Sequence, residues 1–202
     1  MRRSTTSPFR LAASIALLVL TGGCFNSNDP ENPDPQPDPY PFADTVEQLM
    51  TNFKNAYEEM DIDEYDNVLH ENFLFVFADG SSVAPPSGFY TRADDLESTT
   101  NMFAGEQGED DGMLRPGVRD IDFAELTLLD DWEEVDVDDA HFAGAKRALF
   151  DVRIVFYLDT EDLNTLTVDS QQVFYVKSVT EEVEGGGTRE HFYLIGHHDF
   201  GN

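Results

Sequence analysis

The chain holds 202 residues, with 41 Asp and Glu against 12 Lys and Arg, a formal net charge of −29 at pH 7. A surface this acidic repels nucleic acid and anionic lipid headgroups, which argues against either as a partner. A single cysteine excludes an intramolecular disulfide framework, while 40% hydrophobic residues, 16 of them phenylalanine, suffice for one cored domain.

Residues 1–23 read as an export signal. Arg2, Arg3 and Arg10 are the only charges before Asp29, Leu11–Leu20 is almost wholly apolar, and Thr21-Gly22-Gly23 supplies small residues. A basic, then apolar, then small-residue order is that of a secretory signal. Its apolar run is too short to span a bilayer, which needs ~20 residues. Leu20-Thr21-Gly22-Gly23-Cys24 resembles the lipobox of bacterial lipoproteins, with Thr21 where that family more often has an aliphatic residue. The resemblance implies cleavage before Cys24 and lipidation of Cys24, the expected contact with a membrane. Acyl chains contribute ~0.8 kcal/mol per buried CH₂, so a multiply acylated cysteine holds a protein at a bilayer. Phe25, not an aspartate, follows the cysteine. By the same resemblance that points to the outer membrane of the cell envelope, facing periplasm or cell surface. The other reading is an ordinary signal followed by a free or buried cysteine.

Residues 24–41 form a linker. Pro30, Pro33, Pro35, Pro37, Pro39 and Pro41 alternate with polar residues and cannot build a helix or a core. An extended polyproline segment of this length reaches roughly 50 Å. Residues 42–202 are left for one domain.

Asp44 with Glu47 predicts a helix start. Val46, Leu49, Met50, Phe53, Tyr57 and Met60 then recur at three- and four-residue steps. Asp61 or Asp63 caps a second, shorter helix that turns Tyr65, Val68 and Leu69 inward. Phe73–Phe77 reads as a strand ended by Asp79-Gly80, and Phe89-Tyr90 as a short one. Thr91 with Asp94 predicts a third capped helix, reaching Met102 or Phe103. Residues 105–117 read as a polar loop. Residues 118–129 alternate with a phase slip near Ala124-Glu125, the mark of a β-bulge. An acidic loop around Trp132 precedes the longest strand, 146–158, which places Ala148, Phe150, Val152, Ile154, Phe156 and Leu158 on one face. Residues 166–179 and 189–199 form the last strands, joined through Gly185-Gly186-Gly187. Helices grouped before a meander imply an α+β domain, a curved antiparallel sheet packed on helices.

The run NFKNAYEEMDIDEYDNVLHENFLFVF (52–77) and the closing HFYLIGHHDFG (191–201) resemble the nuclear-transport-factor-2-like superfamily, also called SnoaL-like or ketosteroid-isomerase-like. The resemblance covers roughly 44–199. It implies a cone-shaped curved antiparallel sheet wrapped around three helices from the first half of the domain, enclosing a pocket. In ketosteroid isomerases an aspartate base and a tyrosine donor serve that pocket. Aligned without gaps through Asp61, those positions fall on Phe77 and Phe53, which supply neither role. The expected pocket-lining residues are Phe53, Tyr57, Phe77, Phe150 and His198.

Strand alternation puts His198 on the face of Phe192 and Leu194, with His191, His197 and Tyr193 facing away. A pocket histidine offers a general base; the other reading is a satisfied histidine near a strand end. Acidic runs at 61–63, 109–112 and 136–139 lack the calcium-loop pattern, and neighbours such as His197 and His198 point apart and seldom share a metal. No cofactor motif is present and no cofactor is expected. The first functional reading is a membrane-anchored envelope lipoprotein whose non-catalytic domain binds an apolar small molecule or a protein. The alternative is a small-molecule isomerase, hydratase or cyclase using His198. A third is an assembly subunit, pairing as a homodimer through the outer sheet face around Arg153 and Tyr157.

Overall fold

The computed structural model describes residues 38–110, 113–160, 162, 164–183 and 185–200. The signal segment, Cys24 and the linker before Asp38 lie outside the described residues. All described residues fall in one compact unit, Asp38–Asn202.

Helix α1 (Val46–Glu58) buries Leu49, Met50 and Phe53 of the expected stripe, with Ala56 beside them. Its cap is Thr45, one residue after the expected Asp44. The Thr45 hydroxyl accepts from the Gln48 N–H at 3.1 Å, while Asp44 closes a turn back to the Phe42 carbonyl. At the far end Met60 takes a left-handed φ of 50°. The Asp61 N–H reaches the Ala56 carbonyl at 2.9 Å and the Met60 N–H the Tyr57 carbonyl at 3.2 Å, a Schellman closure with methionine where glycine is usual. Asp61 then caps α2 (Ile62–Val68), which buries Tyr65 and Val68. Helix α3 (Arg92–Phe103) begins in the predicted capping box of Thr91 and Asp94.

The strands are β1 (Leu69–Val76), β2 (Phe89–Thr91), β3 (Gly108–Asp110), β4 (Met113–Arg115), β5 (Val118–Leu128), β6 (Glu133–Glu134), β7 (Lys146–Leu158), β8 (Thr165–Glu182) and β9 (Thr188–Asp199). β3 and β4 form a small separate hairpin inside the predicted loop. The main sheet runs β2-β1-β9-β8-β7-β5, with β6 beside β7. It is antiparallel except where β9 returns beside β1 in parallel. That pairing starts β1 at Leu69, ahead of the apolar run that marks it in the sequence. In β5 the register shifts between Asp122 and Glu125, at the anticipated bulge.

The three helices lie on one face of this sheet, giving the α+β architecture expected. Phe53, Tyr65, Phe73, Phe123, Phe174 and Leu194 fill the layer between. Phe53 is central, within 5.2–6.1 Å of Tyr57, Tyr65, Phe123 and Phe174. The opposite sheet face carries a smaller core of Val135, Phe142, Ala145, Val173, Tyr175 and Ile195, supplied partly by the acidic loop. Carboxylates of that loop hold backbone. Asp139 Oδ1 accepts from the His141 and Phe142 N–H groups at 2.9 and 2.7 Å.

One irregularity in β9 decides which histidine faces the helices. Tyr175 pairs with Gly196 and Val176 with Leu194, leaving Ile195 as an extra residue. Ile195 and Gly196 both serve the outer layer, and the alternation resumes one residue late. A Cβ on Gly196 would lie 2.3 Å from Phe142 Cε1. Glycine therefore lets Phe142 stack on Tyr175, with centroids 3.9 Å apart.

Candidate functional site

A cavity of about 240 Å³ opens between the helices and the sheet. Phe75, Phe77, Tyr90, Ile154, Phe156 and Val168 give it an apolar wall. Tyr57 of α1 and Asp95, Ser98, Thr99 and Met102 of α3 complete the helical side, and Gln172, His197 and Asp199 the sheet side. Five polar or charged side chains are buried among the described residues, and four of them, Asp95, Thr99, Gln172 and His197, line this cavity. Larger depressions of about 430 and 540 Å³ lie elsewhere; of those five residues they hold only Asn52, whose amide donates to the Pro41 carbonyl at 2.7 Å.

Asp95 is 7% exposed. The α3 capping box turns Asp94 outward, which leaves Asp95 and Thr99, one turn apart, on the buried side. Tyr65 Oη donates to Asp95 Oδ2 at 2.8 Å. Burial pushes the Asp95 carboxyl up to about 6, and the Tyr65 hydrogen bond opposes that rise. The Tyr57 hydroxyl lies within hydrogen-bonding reach of Tyr65 and Thr99, and burial raises both phenols well above their ordinary range. The site therefore holds a carboxyl that titrates near neutrality, backed by two phenols that stay protonated.

His197 Nε2 lies 2.6 Å from Gln172 Oε1. A carboxamide oxygen only accepts, so Nε2 carries the proton. The Gln172 amide donates to Ser170 Oγ at 3.1 Å, and the Ser170 hydroxyl to Asp199 Oδ1 at 3.3 Å. The imidazole stacks on Phe174 at 4.4 Å and meets Phe75 edge-on at 4.8 Å. Burial, with a smaller contribution from His198, drives its pKa down to about 3. A base that weak takes no proton near neutral pH. His197 is an aromatic-packed, hydrogen-bonded strut of the cavity wall.

The expected site residues separate accordingly. Tyr57 and Phe77 lie on the cavity wall. Phe53 and Phe150 sit in the core beneath it, Phe150 between Trp132 and Phe174. His198 does not line the cavity; the Ile195–Gly196 bulge gives that face to His197, and His198 packs on Phe200 at 4.3 Å. His191 bonds Glu181 on the sheet margin, Nδ1 to Oε1 at 2.9 Å. Asp95 and Tyr65 escape a reading of the sequence. Asp94-Asp95 looks like a solvated first turn, and Tyr65 like a plain core residue. The legible signal is that α3 lacks an apolar stripe, with Asp95 and Thr99 at inward positions. Among the described residues no group of three or more His, Cys, Asp or Glu side chains is placed to hold a metal ion, and no helix is long and apolar enough to cross a membrane.

No family model and no curated protein matches the chain. Among solved structures it is similar to a protein from Novosphingobium aromaticivorans provisionally named an aromatic ring hydroxylase, at 16% identity over 77% of this chain and 85% of that one, with a TM-score of 0.47. It is also similar to an NTF2-like protein of unknown function from Cytophaga hutchinsonii, at 11% identity over 78% and 90% of the two chains, TM-score 0.40. A third, from Rhodospirillum rubrum, is an NTF2-like protein of unknown function in nutrient uptake, at 14% identity over 78% and 98%, TM-score 0.37. At these values the likeness assigns no activity to this chain.

Proposed function

We propose that the protein is a lipid-anchored component of a bacterial envelope whose domain binds a small, largely apolar molecule beside Asp95. One observation carries the binding role: of the five buried polar side chains among the described residues, four converge on a cavity walled mainly by aromatic and aliphatic groups. Burying polar groups costs free energy, and a few of them in an apolar recess is the arrangement that orients a ligand. The volume lies below the usual ~300–1,000 Å³ of ligand sites, which suits a fragment-sized molecule. Anchoring rests on the sequence, through Arg2, Arg3, the apolar run 11–20 and the lipobox-like ending at Cys24. Phe25 favours the outer membrane.

Native mass spectra of the freshly purified chain test the binding role. A retained small molecule that disappears when Met102→Trp fills the cavity supports it; equal retention by both chains places the ligand elsewhere.

A small-molecule enzyme is the second reading, favoured by the Asp95 carboxyl at about 6. A group near the operating pH is matched to proton transfer. Asp95, in place of a histidine, then acts as the acid or base, with the Tyr65 hydroxyl holding its orientation. Conversion of the retained molecule by the native chain, lost in Asp95→Asn, distinguishes catalysis from binding.

A further inference from the structure

The Asp95 carboxylate has an unusual setting for a buried charge. Among the described residues its hydrogen-bond donor is a neutral phenol, and burial and that bond are what act on the carboxyl. Among the described residues, none lining the cavity is Lys or Arg. The one imidazole there has its Nε2 proton committed to Gln172. A second carboxylate, Asp199, lines the same cavity, accepting from Ser170. The rings of Tyr57, Phe75, Phe77, Tyr90 and Phe156 line the same cavity as Asp95. Phe77 meets Tyr90 edge-to-face at 4.8 Å and Phe75 at 4.9 Å. Ring faces carry negative potential and attract ammonium groups.

We infer that the cavity takes an organic cation: a molecule with one ammonium group to pair with Asp95 and an apolar, fragment-sized body to lie against the aromatic wall. The inference rests on the binding role proposed above and narrows it to a ligand class. The ligand supplies the counter-charge that the fold withholds. A buried carboxylate without a cation is costly, and a desolvated partner at contact distance removes much of that cost. An anionic ligand meets the buried Asp95 carboxylate and is excluded. The whole chain adds to this preference, since its net charge of −29 concentrates cations around it.

The test is a matched set of probes, 4-phenylbutylamine, 4-phenylbutan-1-ol and 4-phenylbutyrate, titrated at pH 7.5 into the full chain in a non-ionic detergent. The chain carries ¹³C-methyl methionine, and the Met102 signal, assigned with Met102→Leu, reports occupancy of the cavity apart from partition into micelles. The amine should saturate the Met102 shift with a Kd at least tenfold below that of the alcohol, and the carboxylate should leave the signal unmoved. In Asp95→Asn, which keeps an acceptor for Tyr65, the advantage of the amine should vanish. Equal affinity for alcohol and amine in the unmodified chain overturns the cation inference and leaves the binding role standing. No shift with any probe overturns both. The comparison on the unmodified chain decides the matter even if the variant fails to fold.

Discussion

Replacing Asp95 by asparagine measures what the buried charge costs. The two side chains share a shape, and asparagine still offers an oxygen to the Tyr65 hydroxyl. Burial holds the carboxyl at about 6 in the folded chain against an ordinary 3.8. Between those pH values the folded state keeps a proton that the unfolded state has lost. The stability this group contributes is full below pH 3.8 and declines as pH rises through about 6. At 1.36 kcal/mol per pKa unit the full loss is about 3 kcal/mol, of which about 2.5 falls between pH 4 and pH 7. Asparagine does not titrate, so its stability lacks this decline. Urea unfolding of both chains, followed by circular dichroism at several pH values, gives the difference and cancels the titration of the other carboxylates. The native chain should lose about 2.5 kcal/mol relative to Asp95→Asn over that range. A difference that stays flat to within about 0.5 kcal/mol refutes the burial of a high-pKa carboxyl in this cavity.

Three further outcomes follow from other parts of the molecule. Gly196→Ala drives a methyl group into the Phe142 ring and should cost about 1–3 kcal/mol, seen as a lower melting temperature; an unchanged melt refutes the bulge and its stacked Phe142–Tyr175 pair. The His197 imidazole, with a folded pKa of about 3 against 6.5, should stay neutral in ¹⁵N spectra down to pH 4.5, with Nε2 carrying the proton. Its stabilising effect is present above pH 6.5 and lost as pH falls toward 3, and titration near 6.5 contradicts its packing. Cys24→Ser should abolish incorporation of labelled fatty acid and move the protein from the membrane fraction to the soluble one; unaltered fractionation removes the lipid anchor.

Local signals in the sequence carried much of the fold. Thr91 and Asp94 mark the start of α3 because a capping box needs only four consecutive residues. The alternation of Lys146–Leu158 reads through because β7 lies between β5 and β8 and buries Ala148, Phe150, Val152 and Ile154 on one face. The phase slip at Ala124 is likewise a local departure from period two. The histidines failed the same test in β9. Alternation from Leu194 carries His198 inward, but Ile195 and Gly196 share a face and hand the position to His197. A glycine in the strand interior, directly after Leu194-Ile195, was the available warning. Asp95 was hidden for a different reason. Its burial depends on Tyr65, thirty residues earlier, and on the closure of α3 over the sheet, neither of which leaves a short-range trace. Tyr57 lies one turn beyond Phe53, so the helix that carries the core anchor also delivers a phenol to the cavity.

The most direct test of the ligand site is diffraction from crystals of the protein soaked with 4-phenylbutylamine. The expected result is density for the amine inside the cavity, its nitrogen within hydrogen-bonding distance of an Asp95 carboxyl oxygen and its ring against Phe77 and Tyr90. A cavity closed by Met102 and Phe156 packing together, with no density beside Asp95, contradicts the proposed binding role.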